Sequence, residues 1–369
     1  MNSRPLFATL IAIAVSACTT ALPRQTLAPP TAVLTRHAVT ERYVSTANRA
    51  DELDSLATWA TPTGATWLIA SAKSADQLVV FDADTGERLR TVGEPGPAAG
   101  EFDRPNGLAV HGDHLFVVER DNHRVQVFGL PGFEPLGSFG DDDLRAPYGL
   151  WINETEPGEL QVYVTDSFMY GERFDVLPPL AELDQRVRRF RVSFAPDGSP
   201  RGRYLGAFGD TSADTALHVV ESIAGDASGD RLLIADERVP RAGGGHTSTL
   251  REYDFSGRYT GRSLPQDAFS AEAEGVTLWS CSAENGYWVA VDQLAPLTMF
   301  HLFERHSLQP AGSFHGAVTS HTDGVALHAA STRAFPHGAL FAVHGDKAVS
   351  AFDLADIARE LGLSAECGG

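Results

Sequence analysis

Acids outnumber bases 48 to 29 in these 369 residues, and the formal charge of −19 makes nucleic acid and bare anionic membrane surfaces poor partners. Three cysteines are too few for a disulfide-rich scaffold, and no CxxC pair or His/Cys spacing suits zinc or haem. The acidic excess is either solvated surface or a set of oxygen ligands for hard cations such as calcium, and composition alone leaves both open.

The first element is an export signal. Arg4 precedes an apolar run from Leu6 to Val15, too short to span a bilayer, and then Ser16-Ala17-Cys18. Val15-Ser16-Ala17-Cys18 resembles the lipobox of bacterial lipoproteins, which implies cleavage after residue 17 and lipidation of Cys18. An ordinary secretory signal is the alternative. Thr19, rather than Asp, follows the cysteine, so the outer membrane is the expected anchor. Residues 18–45 are rich in Pro, Ala and Thr and are expected to form a flexible tether. Once Cys18 is lipidated only Cys281 and Cys367 remain, and no disulfide framework is expected.

The rest of the chain repeats a phrase: a polar or aromatic residue, then Gly, then an apolar residue that opens a strand-like run. Its copies are Asn106-Gly107-Leu108, Tyr148-Gly149-Leu150, Glu274-Gly275-Val276 and Asp323-Gly324-Val325, with Glu221-Ser222-Ile223 as a variant lacking Gly. Further apolar strands follow each copy, as in His114–Val118 and Arg124–Phe128. Trp67–Ala70 and Leu78–Asp82 supply one more unit, which makes six. Starts taken at Trp59, Asn106, Tyr148, Glu221, Glu274 and Asp323 are 47, 42, 73, 53 and 49 residues apart, close to the length of a four-stranded blade. The long interval holds a predicted loop from Phe168 to Gln185. Helical spacing is confined to Leu354–Leu361.

Strands this short bury both faces only when blades stack radially, so residues 46–362 are predicted to form an all-β, six-bladed β-propeller with a tail at 363–369. The position before each Gly then forms a ring at one mouth of the central channel, and Glu221, Glu272, Glu274 and Asp323 occupy or flank it.

Several of these pieces, in order, resemble the β-propeller phytases, secreted calcium-dependent phosphatases. Asp51-Glu52-Leu53-Asp54-Ser55-Leu56-Ala57-Thr58-Trp59 is similar to the family's opening motif. Glu221 through Glu237, Glu272-Ala273-Glu274-Gly275-Val276-Thr277-Leu278, Thr322-Asp323-Gly324-Val325 and Tyr148-Gly149-Leu150 match later ones. The resemblance implies that Asp54, Glu221, Glu237, Glu272, Glu274 and Asp323 hold Ca2+ and position water, with Glu221, Glu237 and Tyr148 in catalytic roles. It also implies action on phytate or a similar phosphorylated small molecule. A monomer is expected, attached to the membrane only through the lipid that the lipobox implies.

The chain departs from that pattern too. Ser55 and Leu56 replace an Asp and a Pro, and Pro105-Asn106-Gly107-Leu108-Ala109-Val110 lacks the family's phosphate-clamping Arg. Thr165 is followed by Asp166-Ser167 instead of Gly and Lys. Lys73 and Arg145 are the candidate substitutes for binding substrate. Gly93 to Phe128 resembles an NHL repeat, a propeller blade found in binding scaffolds as well as in enzymes. A non-catalytic propeller that binds protein or carbohydrate at the cell surface is therefore the alternative. Scattered His111, His114, His123 and His246 form no triad signature, and Gly243-Gly244-Gly245 reads as a flexible turn.

Overall fold

Runs of Val, Ile, Leu and Phe flanked by Gly, Asp and Asn make strands of three to ten residues in the computed structural model, which describes residues 36–367 apart from 242, 266 and 365. The signal, Cys18 and the tether up to residue 35 lie outside the described residues.

The strands form six antiparallel blades around a central channel. Their innermost strands are Leu53–Ala60, Pro105–His111, Pro147–Glu156, Val220–Asp226, Ala273–Ser280 and Val325–His328. Blades 1 to 4 each hold four consecutive strands. An apolar cluster fills each of the six junctions, such as Ile69 and Val80 against Leu108 and Phe128 between blades 1 and 2. Leu233 and Leu250 meet Trp288 and Phe303 in the same way between blades 4 and 5.

Closure recruits residues that the sequence assigns to the tether. Tyr43–Val44 pairs antiparallel with Ala348–Asp353 and becomes the outer strand of blade 6. Arg36–Ala38 adds a fifth, parallel strand to blade 5 against Pro310–His315. Between them, Glu41 accepts hydrogen bonds from the backbone N–H groups of Ala317, Val318 and Thr319. The tether therefore ends before residue 36, because blades 5 and 6 each have an edge that this segment covers.

Two further expectations change. Trp59 lies at the far end of the first inner strand, so blade 1 opens at Asp54 rather than at Trp59. Cys281 and Cys367 form a disulfide across 86 residues. The predicted helix Leu354–Leu361, capped by the Asp353 carboxylate on Ala355 N–H, folds back over blade 5 and joins the cluster containing Trp279 and Phe314. That packing brings the two Cα atoms to 4.8 Å, which spacing in the sequence does not reveal. The Phe168–Gln185 segment is a loop as expected, ending in a short 3-10 helix at Leu180–Gln185.

The recurrent Gly has a steric origin. A Cβ on Gly107 would strike the Tyr148 carbonyl, one on Gly149 the Glu221 carbonyl, one on Gly275 the Asp323 carbonyl and one on Gly324 the Asp54 carbonyl. Each inner strand thus presses its backbone against the next, and only Ser55 and Ser222 carry side chains at the equivalent positions. Below this ring, Leu56, Leu108, Leu150, Ile223, Val276 and Val325 line a space of about 90 Å3 along the channel.

The disulfide restrains a loop of 86 residues in the unfolded chain, for which chain entropy allows stabilisation of about 4 kcal/mol. Replacing both cysteines by Ser is expected to lower the urea midpoint while leaving the propeller folded. An unchanged midpoint would show that the bridge adds nothing.

Candidate metal centre at the channel mouth

Five inner strands shift register at the same place, between Leu53 and Leu56, Pro105 and Leu108, Pro147 and Leu150, Val220 and Ile223, and Ala273 and Val276. Such bulges re-aim side chains, and here the residues inside them are the ones that border the mouth. The resulting ring, one residue per blade, is Asp54, Asn106, Tyr148, Glu221, Glu274 and Asp323. All but Asn106 line a small cavity of about 20 Å3 at its centre.

A second ring stands behind it. In blades 1 to 5 one residue, next after the second strand or, for Glu237, within it, donates its N–H to the carbonyl two positions before the ring residue: Lys73 to Glu52, Arg120 to Arg104, Ser167 to Ala146, Glu237 to Val219 and Gln293 to Glu272. Lys73, Arg120, Ser167, Glu237 and Gln293 are therefore equivalent positions in blades 1 to 5. The mouth is polarised as a result, with cations behind blades 1 and 2 and carboxylates from blades 4, 5, 6 and 1.

Other acids are structural. Glu119, Asp166 and Asp292 each end a second strand and Asp236 lies within one; all four are fully or almost fully buried and tie down the loop before the inner strand. Asp166, for example, accepts from the N–H groups of Arg145 and Ala146 and pairs with Arg188 at 3.2 Å. Asp292 does the same with Ser270 and Ala271, beside His301 at 3.6 Å. Asp236 and Glu237 are neighbours in sequence but serve these two different purposes.

Glu221, Glu237 and Glu274 bring three carboxylates within 4.8 Å of one another. Among the described residues none of the three has an ion-pair partner, and Glu237, 5% exposed, has an Oε1 atom with no hydrogen-bond partner at all. Burial, reinforced by the Asp54 charge, pushes the Glu221 carboxyl up to about 8, although Lys73 opposes this. Burial and then Glu221 raise both Glu237 and Glu274 well above the usual carboxylate range. Like charges this close ionise together only with a cation among them. Oxygen donors alone, in a flexible set from two blades, suit a hard divalent cation of the calcium class, so the residues fit the metal that the resemblance implies.

Asp54 and Asp323 have a different neighbour. Lys73, from the outer ring, places its ammonium 2.9 Å from Asp54 and 3.0 Å from Asp323. The two carboxylates raise the Lys73 pKa by more than burial lowers it, so the lysine is charged. Glu272, expected among the ligands, is a third exposed and faces Arg238 at 3.8 Å, on the rim rather than within the triad.

On the opposite side Tyr148 stands beside Arg120, whose guanidinium donates to the phenol oxygen at 3.5 Å. Burial and the Glu221 charge push the Tyr148 hydroxyl up to about 12, so it is a hydrogen-bond donor at neutral pH. Arg145 does not reach the ring: its exposed guanidinium lies over Phe168 at 3.7 Å. Arg120 takes the place expected of it, and the position of Arg120 after the second strand, equivalent to Lys73, is the sequence signal for it. Asn106 is 1% exposed and leaves both polar atoms of its amide unpartnered.

Residues 102–128, which make up most of blade 2, match the NHL repeat family. No curated protein sequence matches the chain. Among solved structures, a calcium-binding protein, regucalcin, from Agrobacterium tumefaciens str. C58 is 11% identical, with 86% of this chain and 97% of that one covered at a TM-score of 0.50. A catalytically inactive virginiamycin B lyase from Staphylococcus aureus with quinupristin is 11% identical over 84% of this chain and 98% of its own, at 0.46. A nidogen/laminin complex is 17% identical over 75% of this chain and 85% of its own, at 0.47. At these identities the likeness is one of fold: the chain is a six-bladed β-propeller with one NHL-type repeat.

The raised carboxyls set a pH dependence. An acid whose folded pKa lies above its unfolded value favours folding fully below the unfolded pKa and loses that contribution as pH rises through the folded one. For Glu221 the window runs from 4.5 to about 8, with Glu237 and Glu274 acting in the same direction. In chelator the thermal midpoint is therefore expected to fall across this window. Melting curves in which it stays level or rises would contradict the crowding of these three groups.

Proposed function

We propose that the mouth holds calcium on Glu221, Glu237 and Glu274 and hydrolyses phosphomonoesters of small molecules such as phytate. The observation that carries this reading is the carboxylate triad without an ion-pair partner, set beside a hydroxyl and a guanidinium in one mouth. A divalent cation held there supplies polarisation of a phosphoryl oxygen and acidification of water. Phosphate needs fixed donors as well, and Arg120 and Tyr148 offer N–H and O–H groups to anionic oxygens from blades 2 and 3. Lys73 donates two of its three N–H groups to Asp54 and Asp323 and keeps one for a ligand.

The NHL match in blade 2 favours a second reading, a non-catalytic propeller that binds protein or carbohydrate at the cell surface. Phosphate release from phytate and from a simple phosphomonoester, with and without calcium, separates the two. The wild type is expected to release phosphate only with calcium, and Glu221→Gln to lose at least about 100-fold in rate while remaining folded. A wild type inactive on both substrates in calcium would leave the binding module. Equal rates in wild type and Glu221→Gln would remove Glu221 from the chemistry.

The same reading places the protein on the outer membrane as a lipid-anchored monomer. Cys18→Ser is expected to release it from the membrane fraction or leave it uncleaved. Membrane attachment unaffected by that change would refute the lipid anchor.

A further inference from the structure

Apart from Glu272 on the rim, the acidic side chains that the sequence groups as one set of metal ligands have two different environments. All four carboxylate oxygens of Asp54 and Asp323 are engaged within the chain. Lys73 donates to Asp54 Oδ2 and Asp323 Oδ2, Ser55 Oγ donates to Asp54 Oδ1, and Gln293 donates to Asp323 Oδ1. The triad of Glu221, Glu237 and Glu274 has no such partners and retains a buried oxygen with nothing bound to it.

The Lys73 nitrogen already sits where a cation would sit. It lies 2.9 and 3.0 Å from one oxygen of each aspartate and 3.8 Å from Glu52, its side chain is only 14% exposed, and its carboxylate partners come from blades 1 and 6. Calcium takes oxygen ligands at roughly 2.3–2.6 Å, a few tenths of an ångström closer than an ammonium. Two carboxylates spaced to bridge Nζ need only a small inward movement to bridge a metal ion. The two cannot share the seat, because an ammonium and a divalent ion at one point repel each other.

Resting on the reading of the mouth as a calcium site, we propose that Lys73 is a resident cation in what would otherwise be a second metal seat. The chain then takes one divalent ion, at Glu221, Glu237 and Glu274, and not a second at Asp54 and Asp323. Lys73 offsets one charge of its half of the ring from within the chain, while the other half depends on an ion from solution.

The test counts calcium per chain by isothermal titration and by equilibrium dialysis on the full exported protein, with calcium alone as the probe. Lys73→Met keeps the length and apolar stem of the side chain and removes the charge, and it is expected to bind one more ion than the wild type. Lys73→Arg keeps the charge and is expected to bind the same number as the wild type. Adding Glu221→Gln to Lys73→Met is expected to weaken one ion and leave the other. If Lys73→Met folds only with calcium present, the count is made on protein refolded in calcium and dialysed to a fixed free concentration.

A Lys73→Met protein that binds no more calcium than the wild type overturns the inference, and so does a wild type that already fills two seats in the ring. A wild type that binds no calcium overturns the metal reading of the triad instead. In that case the gain or absence of an ion on Lys73→Met still decides the role of Lys73.

Discussion

The closeness of six inner strands around one axis governs the rest of the molecule. Backbones at Gly107, Gly149, Gly275 and Gly324 meet the carbonyl of the next blade so closely that a methyl group does not fit. Glycine there is a requirement of approach rather than of an unusual backbone angle. Beside this contact the inner strands of blades 1 to 5 bulge, and the bulges turn one side chain from each of these blades into the mouth. Close packing and ring of side chains thus occupy the same turn of each inner strand.

A ring assembled in this way gathers charge whether or not the fold benefits, and the chain deals with that charge in two ways. At Asp54 and Asp323 the compensation is covalently part of the protein, as Lys73. At Glu221, Glu237 and Glu274 there is none, and the buried carboxyls are held far from their ordinary ionisation. Buried like charges without partners are expensive for stability, and such clusters are concentrated at sites of function. Elsewhere the chain is not careless with acids. Glu119, Asp166, Asp236 and Asp292 are more deeply buried yet accept hydrogen bonds from backbone N–H groups, with basic side chains of the neighbouring strand beside them. This contrast gives the triad its meaning.

The inner ring was legible because its phrase repeats: a residue, a glycine and an apolar strand mark the place in blades 2, 3, 5 and 6, and spacing supplies blade 4. The outer ring was half hidden. Lys73 and Glu237 stood out through resemblance to a family, whereas Arg120 and Gln293 occupy equivalent places that only strand register discloses. Arg145 was misleading because nearness in sequence to Tyr148 does not fix direction, and its side chain leaves along Phe168. The disulfide and the two N-terminal strands depend on segments that meet across 86 and more than 250 residues, beyond the reach of any local pattern.

Those N-terminal strands give the molecule a history as well as a shape. Residues 36–44 emerge well before their partners at 310–315 and 348–353 in synthesis from the N-terminus. Until then blade 6 is incomplete, blade 1 lacks its neighbour on one side, and the face of Leu53, Phe81 and Val79 that packs against blade 6 is uncovered. Contacts so distant along the chain make for slow folding and an aggregation-prone interval. Circular completion therefore acts as a checkpoint: a truncated copy, lacking the final strands, cannot bury the surface that the first ones expose.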